Sequence, residues 1–452
     1  MNMPFRIEQD TMGEVRVPAD ALYGAQTQRA LENFPISRLR FTRPFIRALG
    51  LIKAAAARVN GELGVLPRDL AVAIEAAALQ VAQGNYDAQF VVDVFQTGSG
   101  TSTNMNANEV IASLAKAHPI DHVNRSQSSN DVIPSAIHMA AAELVHHELL
   151  PAMMRLDSTI REKAEEFDDV LKIGRTHLQD AVPIRLGQEF TGYARQVELS
   201  TERLRKTLAG LYELALGGSA VGTGLNVPPG FAAAAIQLLA AQTKLPFREA
   251  RNHFEAQASK DAVCFLSGAL KGYAVSLTKI ANDIRWLGSG PRCGLGEIRL
   301  LAVQPGSSIM PGKVNPVIAE SVLMVCAQVI GHDATLTWAC ASGNFELNVM
   351  MPVIAYDLLE SVELLAAATE NLTRRCIAGL QADRERAAAF VEQSLAMGTA
   401  LVPEIGFDQA AALAKDAYDT ARTIREVARE KSGISADRLN RLLDPLGQTR
   451  PT

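Results

Sequence analysis

The sequence predicts a mostly α-helical fold, and three observations lead to that class. Strand-like alternation of apolar and polar residues is weak and local, around residues 14–18 and 297–302. From about residue 383 the predicted helices become shorter and more charged, which indicates a small C-terminal domain. Apolar residues recur at helix-like intervals, with few internal glycines or prolines, over the long segments 135–168, 187–215, 262–288, 317–341 and 353–378.

The most apolar of these segments predicts a helix that is surrounded by other helices. The stretch VIAESVLMVCAQVI (317–330) carries apolar residues on more than one helical face. A helix of that kind is stable in water only inside a large bundle or at a subunit interface. We therefore expect a central helical bundle.

Composition excludes several classes of function. The 452 residues carry a formal charge of −5, and lysine and arginine are scattered, which disfavours nucleic acid or an anionic membrane as a partner. The N-terminus has no apolar signal core, so we expect a soluble, cytoplasmic protein. The five cysteines are dispersed, which favours free thiols in a reducing compartment over a zinc or iron–sulfur site.

Four polar islands rich in Ser, Thr, Asn and Gly interrupt the apolar helices. We expect each to lie where a helix begins or ends, with Ser129 or Asn130 as a cap and Pro134 in the first turn that follows. Helix N-termini attract anions, so four islands together predict a pocket for a small dicarboxylate, although one island alone is most often only a cap. The islands are TGSGTSTNMNANEV (97–110), RSQSSNDVIP (125–134), KIGRTHLQDAVP (172–183) and GSSIMPGKVNP (306–316).

Among the eight histidines, His177 is the candidate acid–base group because Arg175 and Gln179 accompany it in a polar island. A lone histidine is more often a hydrogen-bonded structural residue. In the last island we expect Asn315 to cap a helix that starts at Pro316, with Glu320 one turn further on.

Three other interpretations of these motifs are disfavoured. Five residues separate Gly306 from Gly312, whereas a phosphate-binding loop has four between its glycines, and Val314 stands where that loop needs a hydroxyl. The stretch GTGLN (222–226) lacks the strand–turn–helix context of a dinucleotide site. His118 and His122 have helical spacing, but no third metal ligand accompanies them.

The islands, taken in order, resemble the fumarase/aspartase superfamily. The resemblance covers nearly the whole chain, through IEQDTMGEVRVPADALYGAQTQRALENFPIS, QTGSGTSTNMNANEV, SQSSND, KIGRTHLQDAVP, GGSAVGTGLN, KIANDIRWLGSGPR, GSSIMPGKVNP and ASGNFELNV. Within the superfamily the chain is most similar to class II fumarate hydratases. The resemblance implies a homotetramer with active sites shared between subunits. It also implies an N-terminal lyase domain (1–126), a central helical-bundle domain (127–382) and a small C-terminal helical domain (383–452).

The implied activity is the reversible hydration of fumarate to (S)-malate in the tricarboxylic acid cycle, without a metal or other cofactor. Aspartate ammonia-lyases are the nearest rivals, but they typically read GRTQLQD and PAKVNP where this chain has GRTHLQD and PGKVNP. His177 and Gly312 therefore favour the hydratase. A hydratase for a substituted fumarate such as mesaconate, and a non-catalytic structural relative like a lens crystallin, are the remaining alternatives.

The resemblance also assigns roles to individual residues. Ser307 corresponds to the base that takes the C3 proton of malate, and Lys313 and Asn315 correspond to ligands of a substrate carboxylate. His177, paired with Glu320, would position or activate the water that adds at C2. The further substrate contacts implied by the resemblance are Ser99, Gly100, Thr101, Ser128, Ser129, Asn130, Thr176, Ser308 and Val314.

One segment departs from the family pattern. Family hydratases usually carry a longer stretch, with a basic residue, before an HPND motif that belongs to a second carboxylate site. Here the stretch shortens to SLAKAHPIDH, in which His118, Pro119 and Asp121 remain and Ile120 occupies the asparagine position. This substitution counts against a working second site.

Overall fold

The computed structural model describes residues 4–451 and divides the chain into two compact units. Of the described residues, the first unit contains 4–151, 201–274 and 326–366, and the second contains 152–200, 275–325 and 367–451. The helices are α1 (Ala25–Asn33), α2 (Arg43–Glu62), α3 (Arg68–Gln83), α4 (Thr101–Ala115), α5 (Ser129–Leu144), α6 (Leu150–Glu166), α7 (Leu186–Leu211), α8 (Phe231–Thr243), α9 (His253–Ala258), α10 (Asp261–Leu287), α11 (Val317–Cys340), α12 (Met351–Arg375), α13 (Arg384–Gln393), α14 (Val402–Ile405), α15 (Phe407–Thr420), α16 (Ile424–Lys431) and α17 (Ala436–Leu442).

The strands are short, and each pairs with only one other strand. All five pairs are antiparallel except β5 with β6, which is parallel. The strands are β1 (Phe5–Asp10), β2 (Gly13–Pro18), β3 (Leu171–Thr176), β4 (Gln179–Arg185), β5 (Glu213–Leu214), β6 (Arg248–Glu249), β7 (Ile298–Arg299), β8 (Gly343–Asn344), β9 (Leu347–Asn348) and β10 (Gln381–Ala382). The predicted mostly α-helical class is confirmed, and the two segments with strand-like alternation contain β2 and β7.

The predicted long helices are present, with two local differences. Segment 135–168 is not one uninterrupted helix, because a π-helical turn at Val145–Leu149 separates α5 from α6. The prediction that segment 172–183 lies at a helix end is wrong, because this segment forms the β3–β4 hairpin. The periodicity of apolar residues shows which face of a helix is buried. It does not reveal a π-helical turn, which contains one more residue than an α-helical turn.

In the first unit, helices α2, α3, α4 and α5 pack around an apolar core in which α2 is buried along most of its length. Gly50 lets α2 approach α3 closely, since a Cβ atom there would lie 2.7 Å from the main-chain nitrogen of Ala82. The buried Glu109 carboxylate on α4 accepts hydrogen bonds from the main-chain N–H groups of Gly24, Gln26 and Thr27 at the start of α1. These contacts fix α4, which carries part of the candidate site.

The second unit contains the β3–β4 hairpin and the C-terminal helices. Gln188 at the start of α7 donates a hydrogen bond to the main-chain oxygen of Thr449, which ties the C-terminal segment to that helix. The C-terminal helices enclose an apolar core of their own, formed by Val391, Met397, Leu401, Leu413, Ala417, Ile424, Val427, Ala428, Leu439 and Leu443. The predicted boundaries of three domains stay a prediction.

Among residues 4–451, α11 is the one helix that is long and apolar enough to cross a membrane by length and composition alone. Only 33% of its most apolar 18-residue window is buried within the chain. The helix also carries polar contacts, since Asp333 accepts hydrogen bonds from Ser267 (2.7 Å) and Lys271 (2.6 Å) on α10. The Asp333 carboxylate is buried and the Lys271 side chain is partly exposed; a charged pair on a helix is costly in lipid.

His138 on α5 gives a prediction about stability at acidic pH. Its Nδ1–H donates a 2.8 Å hydrogen bond to the main-chain oxygen of Glu213, and burial, assisted by the charge of Lys260, lowers its pKa from 6.5 to about 4. The unfolded chain therefore binds an extra proton between these two pH values, and stability is lost as the pH falls through that window.

His138→Gln removes this titration. Between pH 7 and pH 5 the free energy of unfolding of the wild type should fall by about 2 kcal/mol more than that of the variant. Denaturant unfolding at one protein concentration measures the difference. Equal losses in both proteins would contradict a buried, neutral His138.

Candidate active site

The segment 306–316 forms a closed loop that leads into α11. The main-chain N–H of Gly306 donates to the oxygen of Lys313 at 2.8 Å, and the Asn315 amide donates to the oxygen of Gly306 at 2.7 Å. A Cβ atom on Gly306 would lie 2.5 Å from the Lys313 oxygen, and Gly312 has a φ of +77°. Both glycines are therefore required by the backbone. The side chain of Asn315 closes the loop, and the helix begins at Val317, one residue after the predicted start at Pro316.

The hydroxyl of Ser307 accepts two main-chain hydrogen bonds. The N–H groups of Ile309 and Met310 point at its Oγ atom, at 3.2 and 3.0 Å. N–H donors aimed at an oxygen favour its negatively charged form. The loop thus places two donors at the Ser307 oxygen, where they would favour the alkoxide over the neutral hydroxyl.

Two cavities adjoin this loop. One, of about 680 Å³, is lined by Lys313, Asn315 and Glu320 together with Asn282 and Arg285. The other, of about 470 Å³, is lined by residues 302–307 and 310–314, among them Ser307, Lys313 and Val314. Lys313 contributes to both and is exposed, as is Ser308. The loop therefore presents a cation and polar groups to open space large enough for a small acid.

His177 lies at the tip of the β3–β4 hairpin. It and Leu178 form a two-residue turn with φ values of +56° and +59°, between the paired residues Thr176 and Gln179. Such turns normally contain asparagine or glycine, so histidine and leucine here hold a strained backbone, which is typical of functional positions. Thr176 and His177 are both exposed, and within residues 4–451 the His177 ring makes no hydrogen bond, so its predicted pairing with Glu320 is not made within one chain.

A buried ion network holds the base of this hairpin. The Glu297 carboxylate accepts two hydrogen bonds from the Arg175 guanidinium, at 2.8 and 3.1 Å, and Lys172 lies 3.7 Å from it. Glu297 is fully buried. Bidentate pairs of this kind fix orientation strongly. Sequence reasoning placed Arg175 in the site but did not identify Glu297, which is more than a hundred residues away along the chain.

In the first unit a chain of hydroxyl groups joins two of the polar islands. The Ser99 and Thr101 oxygens lie 2.7 Å apart, and the Thr101 and Ser129 oxygens are also 2.7 Å apart. Gly100, with a φ of +73°, precedes α4 and turns the chain so that Thr101 begins the helix. The structure therefore brings together three of the residues implied as substrate contacts.

The adjoining island caps α5, but with a different residue from the one predicted. Ser128 is the N-cap, and it forms a capping box with Asp131, so the prediction of Ser129 or Asn130 as the cap is wrong by one or two positions. Pro134 lies inside the helix and not in its first turn. The Asp131 carboxylate accepts a hydrogen bond from the main-chain N–H of Ser128. Because of this contact, Ser128 is the cap.

Asp131 also joins this island to residues 217–219. Its second carboxylate oxygen accepts from the N–H groups of Gly217 and Ser219, at 3.0 and 2.9 Å. Burial raises the pKa of Asp131 to about 6, against the opposing effect of these donors. Asn130 donates to the main-chain oxygen of Ala220 at 2.8 Å. Sequence reasoning did not assign a role to Asp131, although the S-x-x-D spacing is a recognisable capping signal.

The segment of the second carboxylate site forms an exposed turn. His118 Nδ1 accepts from the Asp121 N–H at 3.0 Å, and both side chains are exposed. His118, Pro119 and Ile120 border a cavity of about 1050 Å³ whose charged lining residues are Arg6, Lys116, Glu8, Asp10, Asp20 and Glu109. Carboxylates outnumber cations there, which is a poor environment for a dianion. Within residues 4–451 no group of three or more His, Cys, Asp or Glu side chains is arranged to hold a metal ion.

We therefore expect His118→Ala and Asp121→Ala to change turnover by less than about threefold, because exposed polar side chains away from the reacting atoms contribute little. Steady-state kinetics with purified variants measures the effect. A hundredfold loss in His118→Ala, or a dicarboxylate bound beside His118 in a crystal, would show that the second site persists in altered form.

Comparisons with known proteins show the family. The model of the lyase family matches residues 13–331, and that of the fumarase C C-terminus matches residues 398–447. The chain is 53% identical to a class II fumarate hydratase of Xylella fastidiosa, over 98% of this chain and 95% of that protein. It is 55% identical to one of Mycobacterium tuberculosis, over 96% and 93%.

The fold agrees with this relationship. The crystal structure of class II fumarase from Schistosoma mansoni superimposes with a TM-score of 0.95 at 38% identity, covering 99% of this chain and 100% of that one. The expected fumarase/aspartase-like fold is confirmed. Similarity of this extent, over both sequence and structure, means that the chain belongs to the family of class II fumarate hydratases.

Proposed function

We propose that this protein catalyses the reversible hydration of fumarate to (S)-malate, as part of the tricarboxylic acid cycle. Besides the family relationship, the observation that carries the proposal is the pair of main-chain N–H groups held at the Ser307 oxygen. A serine becomes a base only when its alkoxide is stabilised. Lys313, on the same loop, adds a positive charge to the cavity that Ser307 lines.

The proposed reaction proceeds through a carbanion. In the direction from malate, the Ser307 alkoxide takes the C3 proton, and the electron pair is delocalised onto the adjacent carboxylate. Lys313 and Asn315 stabilise that extra charge, which in such sites is usually the largest catalytic contribution. The C2 hydroxyl then leaves as water after it receives a proton from His177, which would be paired with Glu320. Every atom transferred comes from substrate or side chains.

The family resemblance implies further residues that would bind the substrate. Ser99, Thr101 and Ser129 share hydrogen-bonded hydroxyls that can turn toward a carboxylate. Gly100 would contribute a main-chain N–H group, and Thr176 would contribute its hydroxyl. Ser128, Asn130, Ser308 and Val314 complete the contacts implied by the family resemblance.

The assay that tests the function follows the ultraviolet absorbance of the conjugated diacid. Three substrates are compared in parallel: malate, 3-methylmalate (which is a hydration product of mesaconate) and aspartate. We expect the highest kcat/KM with malate. Faster turnover of aspartate would identify an ammonia-lyase, and faster turnover of 3-methylmalate would identify a hydratase for a substituted fumarate. No turnover of any of them would leave the non-catalytic structural alternative, against which the presence of Ser307, Lys313, Asn315 and His177 argues.

The proposed steps use no metal or organic cofactor. We expect turnover to remain within about twofold after dialysis against EDTA, because acid–base groups and fixed donors supply the chemistry. Metal analysis of the dialysed protein is the control. Loss of activity that added iron, zinc or cobalt restores would contradict this mechanism.

We further propose a cytoplasmic homotetramer. On α11 the side chains of Met324 and Trp338 are 68% and 75% exposed in the single chain. A helix with so much uncovered apolar surface is stabilised by packing against copies of itself. Native mass spectrometry should give the mass of four chains, and a monomer at micromolar concentration would contradict the assembly.

A further inference from the structure

Lys53 on α2 is a charged residue that the proposed mechanism does not use. Its side chain is fully buried. Within residues 4–451 it makes no ion pair, and its ammonium group instead donates to the side-chain oxygens of Asn124 (3.1 Å) and Gln127 (2.9 Å). Burial lowers the pKa of Lys53 to about 7, against the opposing effect of Asp131. A buried ammonium of this kind is costly, so its contacts must serve a purpose.

The side-chain oxygen of Asn124 that Lys53 contacts also accepts hydrogen bonds from α4. The amides of Asn104 and Asn108 both donate to it, each at 3.1 Å. Thr101, Asn104 and Asn108 occupy one face of α4, since they are three and four residues apart. Lys53 and α4 are therefore linked through the side-chain oxygen of Asn124. The first residue of α4 is Thr101.

The same helix α2 also holds the rest of the loop. Asn60, seven residues after Lys53 and on the same face, donates to the Arg125 oxygen at 2.9 Å and accepts from Ser126 at 2.7 Å. Gln127 immediately precedes Ser128. The loop 124–127 thus has two anchors on α2, and the anchor nearest the candidate substrate contacts is Lys53.

We propose that Lys53 is a positioning residue, which through Asn124 and Gln127 holds residues 128–130 in register with Thr101 for binding a substrate carboxylate. The proposal rests on the function proposed above. The 2.7 Å contact between the Thr101 and Ser129 oxygens requires α4 and the loop to keep a fixed separation. Misplacement of these binding groups weakens the contacts that bind ground state and transition state alike, which raises KM.

The test compares Lys53→Met with a matched control, Lys260→Met. Lys260 is also buried, but its ammonium donates only to the main-chain oxygens of Ala256, Gln257 and Ser259. Both variants lose a buried ammonium and keep an unbranched side chain that is shorter by one atom. We expect Lys53→Met to raise KM by about tenfold or more with kcat within about threefold. The reason is that the substrate contacts of residues 128–130, which Lys53 holds in position, bind ground state and transition state alike.

A merely structural role would give a different result. Loss of folded protein lowers the apparent kcat and leaves KM unchanged, and that is the pattern expected of Lys260→Met. A KM within threefold of wild type in folded Lys53→Met would overturn the proposal. If that variant does not fold, Gln127→Met decides, since it removes one acceptor of Lys53 from the loop: we expect KM to rise about threefold or more, and an unchanged KM would overturn the proposal.

The same experiment separates this proposal from the proposed function. KM is measured with whichever of malate, 3-methylmalate or aspartate the wild type turns over best. If that substrate is aspartate, the hydratase assignment fails, while a selective rise of KM in Lys53→Met still supports the positioning role. If the wild type turns over none of them, the dissociation constant for fumarate, measured by calorimetry on both variants, replaces KM with the same thresholds.

Discussion

Tetramers of Ser307→Ala and of His177→Asn are each expected to lose about 10²–10⁴ in kcat, whereas co-refolding the two variants should restore about a quarter of wild-type activity. Each variant lacks one acid–base group. His177 is exposed at the tip of its hairpin and makes no hydrogen bond within residues 4–451, so its partners are expected to come from another subunit. Random mixing then assembles some pockets from one intact Ser307 and one intact His177.

The control mixes wild type with a chain that carries both substitutions. If each pocket takes Ser307 and His177 from different chains, an equal mixture retains about a quarter of full activity, and if both come from one chain it retains about half. Native mass spectrometry establishes that mixed tetramers have formed. Mixed tetramers of the two single variants without recovered activity, together with half-activity in the control, would refute the shared pocket.

Lys313→Met is expected to lower kcat/KM by about 10²–10³. The reaction places a second negative charge on the substrate carboxylate, and removal of one donor aimed at such a charge typically has this cost. Lys313 is the cation that lines both cavities beside the Ser307 loop. Steady-state kinetics in both directions measures the loss, with circular dichroism to confirm that the variant is folded.

Two controls show whether position or charge is responsible. Lys313→Arg keeps the charge but changes its geometry, and we expect an intermediate loss. Lys415→Met removes one positive charge from α15, where Lys415 is paired with Asp419, and should change kcat/KM by less than about twofold. A loss below fivefold in Lys313→Met would mean that this ammonium does not bind the reacting carboxylate.

Much of the candidate site was predictable from the sequence because its signals are local. Gly306, Gly312 and Pro316 mark an irregular loop before a helix, and that helix begins at Val317 and ends at Cys340, against a prediction of 317–341. Gly306 makes a close main-chain contact and Gly312 has a positive φ, so glycine is needed at both positions. Short-range patterns of this kind fix helices, loops and residue types.

Other parts were not predictable, because no local pattern encodes them. The hairpin that carries His177 was taken for a helix end, since its turn contains histidine and leucine where asparagine and glycine would signal it. Its left-handed turn is held in place by packing and by the ion network around Glu297. Similarly, the cap of α5 is Ser128 because Asp131 reaches back to it, which decides among three adjacent polar residues.

By itself, the sequence determined the helical class, the positions of the long helices, the reactive residue types and the family resemblance, all of which depend on neighbours a few residues apart. Only the tertiary structure decided that Glu297 clamps Arg175 and that Lys53 holds Asn124 and Gln127, which are 71 and 74 residues away in the chain. Such pairs leave no periodic trace. They exist because the folded chain brings distant polar groups into an apolar interior, where each must find a partner.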